Sequence, residues 1–265
     1  MNQYIDIGIN LTHRSFNHDR EEVVKNAAEK CVFPLIITGT SVRASKTASD
    51  YASKSSANGT PMYSTAGVHP HDAKSCDEQT ISQLRRLSRL PHVVAIGECG
   101  LDYDRDFSPR DVQKKWFAQQ ISLAKSENMP LFLHERAAFE DFTAILKENR
   151  DICNRAVVHC FTGTATELNA YLDLGCYIGI TGWVCDERRG TDLRRILKNI
   201  PLDRLMIETD APFLTPRNLR ERPTDNRNEP RYLPHIAAEI AGCMGKSVDL
   251  IAEETTKNAR AFFGI

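Results

Sequence analysis

The 265-residue sequence has no G-x-G-x-x-G turn after its first apolar run, no C-x-x-C pair and no long uninterrupted apolar stretch. The first absence argues against a dinucleotide-binding sheet. The second argues against a zinc ribbon or a dithiol redox motif, so the eight scattered cysteines (31, 76, 99, 153, 160, 176, 185, 243) read as reduced, mostly buried thiols. The third leaves nothing near the roughly 18 residues that a membrane helix needs. The opening MNQYIDIGIN has no basic segment followed by a long apolar one, so a cytoplasmic protein that is not exported is expected. Charge of one sign is also missing, since 34 Lys and Arg face 35 Asp and Glu. Binding of a polyanion would therefore have to come from a local basic patch rather than an overall field. Nothing in the chain specifies a partner protein, and a monomer is expected.

What is present suits a sizeable core, with 41% hydrophobic and 26% charged residues. Short β-rich apolar runs recur eight times, at residues 4–10, 34–38, 62–68, 93–97, 131–134, 156–160, 177–181 and 204–209. Helical spacing fills the intervals, as in Val112, Trp116, Phe117, Ile121 and Ala124, with Ser108 expected as the cap and Pro109 at the first helical position. Eight strands alternating with helices predict a closed (β/α)₈ TIM-type barrel, and an open doubly wound sheet is the competing architecture. No linker or repeat divides residues 1–265, so one domain is expected. A Pro- and Arg-containing loop, 211–231, follows the eighth strand and leads to amphipathic helices from about residue 233 to 263.

The run VVAIGECGLD carries a carboxylate, Glu98, out of a strand suited to burial. In a barrel the ends of the strands share one rim, and active sites are built there. PLFLHER brings His134 to that rim, AVVHCF brings His159 and LMIETDAP brings Asp210. Two imidazoles and two carboxylates at one mouth form a ligand set for a divalent metal, which lowers the pKa of water toward about 7 for hydrolysis. Taken singly, each has a plainer reading as a core histidine bonded to a carbonyl or as a helix-capping acid. STAGVHPHD adds His69 at the same rim, a candidate to protonate a leaving group or hold an anion, and His71 slightly beyond it. Turn structure around Pro70 is the alternative for both.

DIGINLT, GVHPHD, VVAIGECGLDYDRDF, HCFTGT, GWVCDERRG, IETDAPFLTPR and NRNEP together resemble the TatD family of metal-dependent deoxyribonucleases, from end to end of the chain. The resemblance implies a barrel of the metal-dependent hydrolase superfamily and exonuclease action on single-stranded DNA, with RNA open, from the 3′ end. It also implies dependence on Mg²⁺. Carried over by motif, the metal positions fall on Glu98, His134, His159 and Asp210, with Glu98 bridging two ions. Two departures stand out. Gly8 and Asn10 occupy the positions where many members carry His-x-His, and Glu135 stands where Cys is common. Imidazole suits Mn²⁺ or Zn²⁺ better than Mg²⁺, so a tight transition metal beside an exchangeable Mg²⁺ would reconcile ligands with family.

For catalysis the expected set is Asp210, which orients and deprotonates the water, with Glu98 and His69. Substrate contacts are expected from His69, Arg136, Trp183 and Arg227. Arg188, Arg189, Arg217, Arg220, Arg222 and Arg231 also cluster after strands seven and eight, either as phosphate contacts or paired with local acids. Trp183 could stack on an unpaired base or simply cap the barrel. Glu208 is expected to pair with a buried arginine. The competing functions are a metal-dependent amidohydrolase acting on a small cyclic substrate, and a nucleic-acid-binding protein with weakened catalysis.

Overall fold

A computed structural model of the chain describes residues 2–55 and 59–265. The eight expected runs are eight parallel strands: β1 (Tyr4–Ile9), β2 (Val32–Ile37), β3 (Met62–Ala66), β4 (Val93–Asp102), β5 (Leu131–Arg136), β6 (Ala156–Val158), β7 (Tyr177–Ile180) and β8 (Leu205–Ile207). They follow one another around a single sheet in sequence order. Strands buried on both faces need no polar alternation, and that is why they read as nearly continuous aliphatic runs. The helices α1 (Arg20–Glu29), α2 (Val42–Ser55), α3 (Thr80–Ser88), α4 (Arg110–Glu127), α5 (Phe139–Glu148), α6 (Arg150–Cys153), α7 (Ala165–Asp173), α8 (Thr191–Ile196), α9 (Leu233–Met244) and α10 (Val248–Phe263) fall between and after them.

The ring is nearly closed, with β8 meeting β1 through two backbone bonds just beyond the strands. Asp210 N–H donates to Gly8 O at 2.9 Å, and Asn10 N–H donates to Ala211 O at 2.8 Å. A side chain completes the seam: buried Asp6 accepts from Thr209 N–H, Thr209 Oγ1 and Gly8 N–H. At the opposite end, α10 lays Ala259 and Phe263 against Ile5, Ile7, Val94, Val157 and Met206. Its Asn258 amide donates to Leu202 O and Leu205 O. The last helix thus covers the ends at which the strands begin, and leaves the other end to the loops.

α4 is the element that most directly positions the site. Its apolar stripe, including Trp116, Phe117, Ile121 and Ala124, is buried as its spacing implies. Two glutamines lie buried on it as well. The Gln120 amide accepts from Val68 N–H and donates to Val68 O, and that of Gln113 does the same for Asp102. Backbone groups at strand ends have no ladder partner and are costly to bury unpaired, so two amides fix two rim segments at once. The cap is a correction: α4 starts at Arg110, Pro109 is its cap residue, and Ser108 Oγ instead donates to His71 O and accepts from Lys74 N–H. The extended backbone of Pro109 places the helix one residue later than expected.

Candidate metal centre

β4 runs five residues beyond its expected limit of Val93 to Gly97, and its register with β5 shifts between Gly97 and Cys99. That irregularity brings Glu98 to the mouth rather than into the ladder. Gly97 permits it: its φ is +143°, and a Cβ there would sit 2.2 Å from Phe132 O. Past the shift, Gly100, Leu101 and Asp102 pair with His134, Glu135 and Arg136.

Three imidazoles converge on one carboxylate oxygen. Glu98 Oε1 lies 2.7 Å from His159 Nε2, 3.1 Å from His134 Nδ1 and 3.3 Å from His69 Nε2. Ligand atoms of His69, Glu98 and His134 all lie within 4.8 Å of one another. Burial by itself would raise the Glu98 pKa, but the charges of His69 and His159 and the hydrogen bonds from His134 and His159 hold it well below the carboxylate range. Burial works against charging His159 too, yet Glu98 and Glu208 raise it well above the usual imidazole value. His134 is raised against the same opposition by hydrogen bonds to Asp102 and Glu98. In His69 burial wins, and its pKa is lowered. Such a donor set, one ionised carboxylate facing imidazoles that hold exchangeable protons, fits a divalent cation that would replace those protons.

Asp210 stands beside this cluster rather than in its hydrogen bonds. Its Oδ1 accepts from Asn10 Nδ2 at 2.9 Å. Burial pushes its carboxyl up to about 8; Glu98 and Glu208 add to the rise, while His159 and the Asn10 hydrogen bond oppose it. Asn10, at a position where the resemblance led one to expect a metal ligand, therefore holds the expected base.

Two acids missed by sequence reasoning support the histidines. Asp102 Oδ2 is 2.7 Å from His71 Nε2 and 3.3 Å from His134 Nε2, and its Oδ1 accepts from Asp104 and Arg105 N–H. The expectation that β4 ends at Gly97 hid it. Glu208 corrects another expectation, since its partner is a histidine and not an arginine: Oε2 is 3.3 Å from His159 Nδ1, and Oε1 accepts from Cys160 N–H at 2.6 Å. It fills the space above β1, where a Cβ on Gly8 would lie 2.2 Å from Glu208 Oε2. Glu135 is turned away, accepting from Ala138 N–H and Tyr171 O–H.

The expected substrate contacts divide. Arg136 is half exposed and pairs with Asp104 at 3.1 Å. Trp183 packs on the core, with the Arg189 guanidinium 4.3 Å above its ring. Arg227 is turned inward: NH1 donates to Ser15 O and Asp19, and NH2 donates to Asp19 and Glu229. With its guanidinium held by two carboxylates over the Phe16 ring, it ties the last loop to the start of α1 and is not free to take a phosphate. Arg189 and, at 3.9 Å, Arg188 and Arg217 gather around buried Asp186.

The family model described as TatD related DNase matches residues 5–264. Among curated relatives, the 3′-5′ ssDNA/RNA exonuclease TatD of Pantoea ananatis is 48% identical over 260 residues, 98% of this chain and 99% of that one. The protein of the same name from Klebsiella pneumoniae is also 48% identical, over 98% of this chain and 97% of its own. Of solved structures, a TatD family hydrolase from Entamoeba histolytica has a TM-score of 0.90 at 28% identity, covering 99% and 98% of the two chains. A TatD homologue from Escherichia coli has a TM-score of 0.89 at 25% identity, with the same coverage.

Proposed function

Because the chain belongs to the TatD family of DNases, we propose that it is a metal-dependent phosphodiesterase that removes nucleotides from the 3′ ends of single-stranded DNA or RNA. The observation that carries this reading is the convergence of His69, His134 and His159 on one Glu98 oxygen at the barrel mouth. Glu98, His134 and His159 would hold the principal ion, which when bound polarises the phosphoryl group and acidifies a water. The imidazole-rich donor set favours Mn²⁺ or Zn²⁺ there, and the oxygen groups of Asp210 and Asn10 suit Mg²⁺.

The rest is the work of the side chains. Asp210, half-buried and held by Asn10, orients the attacking water and takes its proton; a cation beside it would offset the burial and the repulsion from Glu98 and Glu208 that raise its carboxyl and keep it ionised as a base. Glu208 holds His159 by its Nδ1, leaving Nε2 for the site. Asp102 holds His134 by its other nitrogen, Nε2, leaving Nδ1 for the site. His69 Nδ1 accepts from His71 N–H, so its neutral ring, favoured by the depressed pKa, carries its proton on Nε2 and can offer a hydrogen bond to an anionic oxygen.

The test is release of mononucleotides from a single strand. Wild type should shorten a 3′-hydroxyl strand, stop at a 3′ block, lose activity on chelation and regain it with Mn²⁺ or Mg²⁺. Cleavage that ignores both the block and the chelator would defeat the reading. A 5′-blocked strand should be cut as readily as an open one.

A further inference from the structure

Three large apolar side chains are more than a third exposed among the described residues: Leu90, Phe107 and Phe213. Single exposed apolar residues are ordinary. The placement of the two aromatic ones is not random, because both follow strand ends at the rim that carries the metal centre, whereas Leu90 precedes β4.

Each ring is held by an imidazole from a neighbouring loop. Phe107, 54% exposed, meets His71 edge to face with centroids 4.7 Å apart. His71 is bonded to Asp102, which also bonds His134, so a continuous chain of contacts joins this ring to the centre. Phe213, 49% exposed, meets His13 in the same manner at 5.5 Å. Its N–H donates to Asp210 O. One pair comes from the loops after β3 and β4, and the other from those after β1 and β8. The two pairs stand apart around the ring, with β2 between them on one side and β5 to β7 on the other. Trp183 is less suited to a base, since one face carries Arg189.

We propose that Phe107 and Phe213 are base-stacking platforms that hold the nucleotides on either side of the scissile phosphate. This rests on the reading of the centre as a nuclease for unpaired strands. A double helix hides its base faces, while an unpaired strand offers them to aromatic rings whatever its sequence. The platforms thereby account for single-strand preference without any base-edge contact.

The experiment compares wild type, Phe107→Ala, Phe213→Ala and the Phe→Trp variants on two strands, one intact and one with abasic residues at its last two positions. On the intact strand each Ala variant should raise KM about tenfold or more, with kcat changed much less, and each Trp variant should restore it. On the abasic strand wild type and Ala variants should converge. A 2-aminopurine at the 3′ end of an uncleavable phosphorothioate strand should be quenched by wild type and less so by the Ala variants. Unchanged KM on the intact strand, or a rise that persists undiminished on the abasic one, overturns the platforms alone. A wild-type enzyme that releases nothing from any strand overturns the nuclease reading first, and this one with it.

Discussion

Removing the water-side acid tests the chemistry one residue at a time. Asp210→Asn keeps the size and can still pair with Asn10, but it has no base to offer, so kcat should fall about 10²- to 10⁴-fold with the melting temperature held or raised. A variant within tenfold of wild type would remove Asp210 from the mechanism. Glu208 is a positioning residue with a different signature. Glu208→Gln loses the charge that secures Nδ1 of His159, and metal affinity should drop about 10- to 100-fold, so that excess Mn²⁺ recovers turnover. If added metal recovered nothing, the role assigned to Glu208 would fail. Of these residues, Glu98, His134, His159 and Asp210 could be read from sequence because each ends an apolar run with a polar side chain. Glu208 could not, because pointing into a barrel and being buried beside Gly8 and Gly179 depend on how the ring closes.

Elements explain both what sequence reading reached and where it stopped. The aliphatic runs placed all eight strands, since burial on two faces imposes a composition that survives any register. It stopped at strand ends. Nothing local in CGLD says that β4 resumes after Glu98; that follows from pairing with β5 and from Gln113 on α4. The inward pairing of Arg227 was out of reach for a related reason, because its partner Asp19 is 208 residues away. Arg227→Ala should therefore lower stability by about 2 kcal/mol, by leaving Asp19 and Glu229 uncompensated, and leave the salt dependence of KM unchanged. A normal melt with altered salt dependence would restore it as a phosphate contact. The β1 to β8 seam makes a separate prediction. Burial raises Asp6 from 3.8 to about 7 against the hydrogen bonds from Thr209. A folded pKa above the unfolded one means stability that is complete below about pH 4 and is lost as pH rises through 7. Asp6→Asn, which keeps an acceptor for Thr209 N–H, has no such loss. Relative to that variant, wild type should weaken by up to about 4 kcal/mol across this window, at about 1.4 kcal/mol for each pH unit between the two pKa values, as denaturant melts at pH 4, 5.5 and 7 would detect. Parallel curves would show that Asp6 does not hold its proton.

The whole molecule couples folding, metal and protons. No helix among the described residues is long and apolar enough to cross a membrane, and the ends of the barrel divide the labour: α10 and the strand starts carry stability, while the loop end carries the charged cluster. That cluster concentrates like charge that a cation would neutralise, since Glu98 and Glu208 oppose the ionisation of Asp210 and raise His159, while Asp102 and Glu98 raise His134. A cation that binds only the folded chain stabilises it by about 2.7 kcal/mol at a hundred times its Kd, or roughly 5 to 10 °C for a domain of this size. The sign of the pH effect follows from the directions of the shifts. Both imidazoles have raised pKa values, so they keep their protons to higher pH than free imidazoles and must lose them for the ion to enter; affinity should then rise with pH, about tenfold per pH unit for each proton released. Calorimetric titration with Mn²⁺ in two buffers of different ionisation enthalpy should report net proton release near pH 7. Melts should show a larger Mn²⁺-induced gain at pH 8 than at pH 6. A gain of equal size at both, with no proton release, would mean that the ion does not bind where His134, His159 and Glu98 meet.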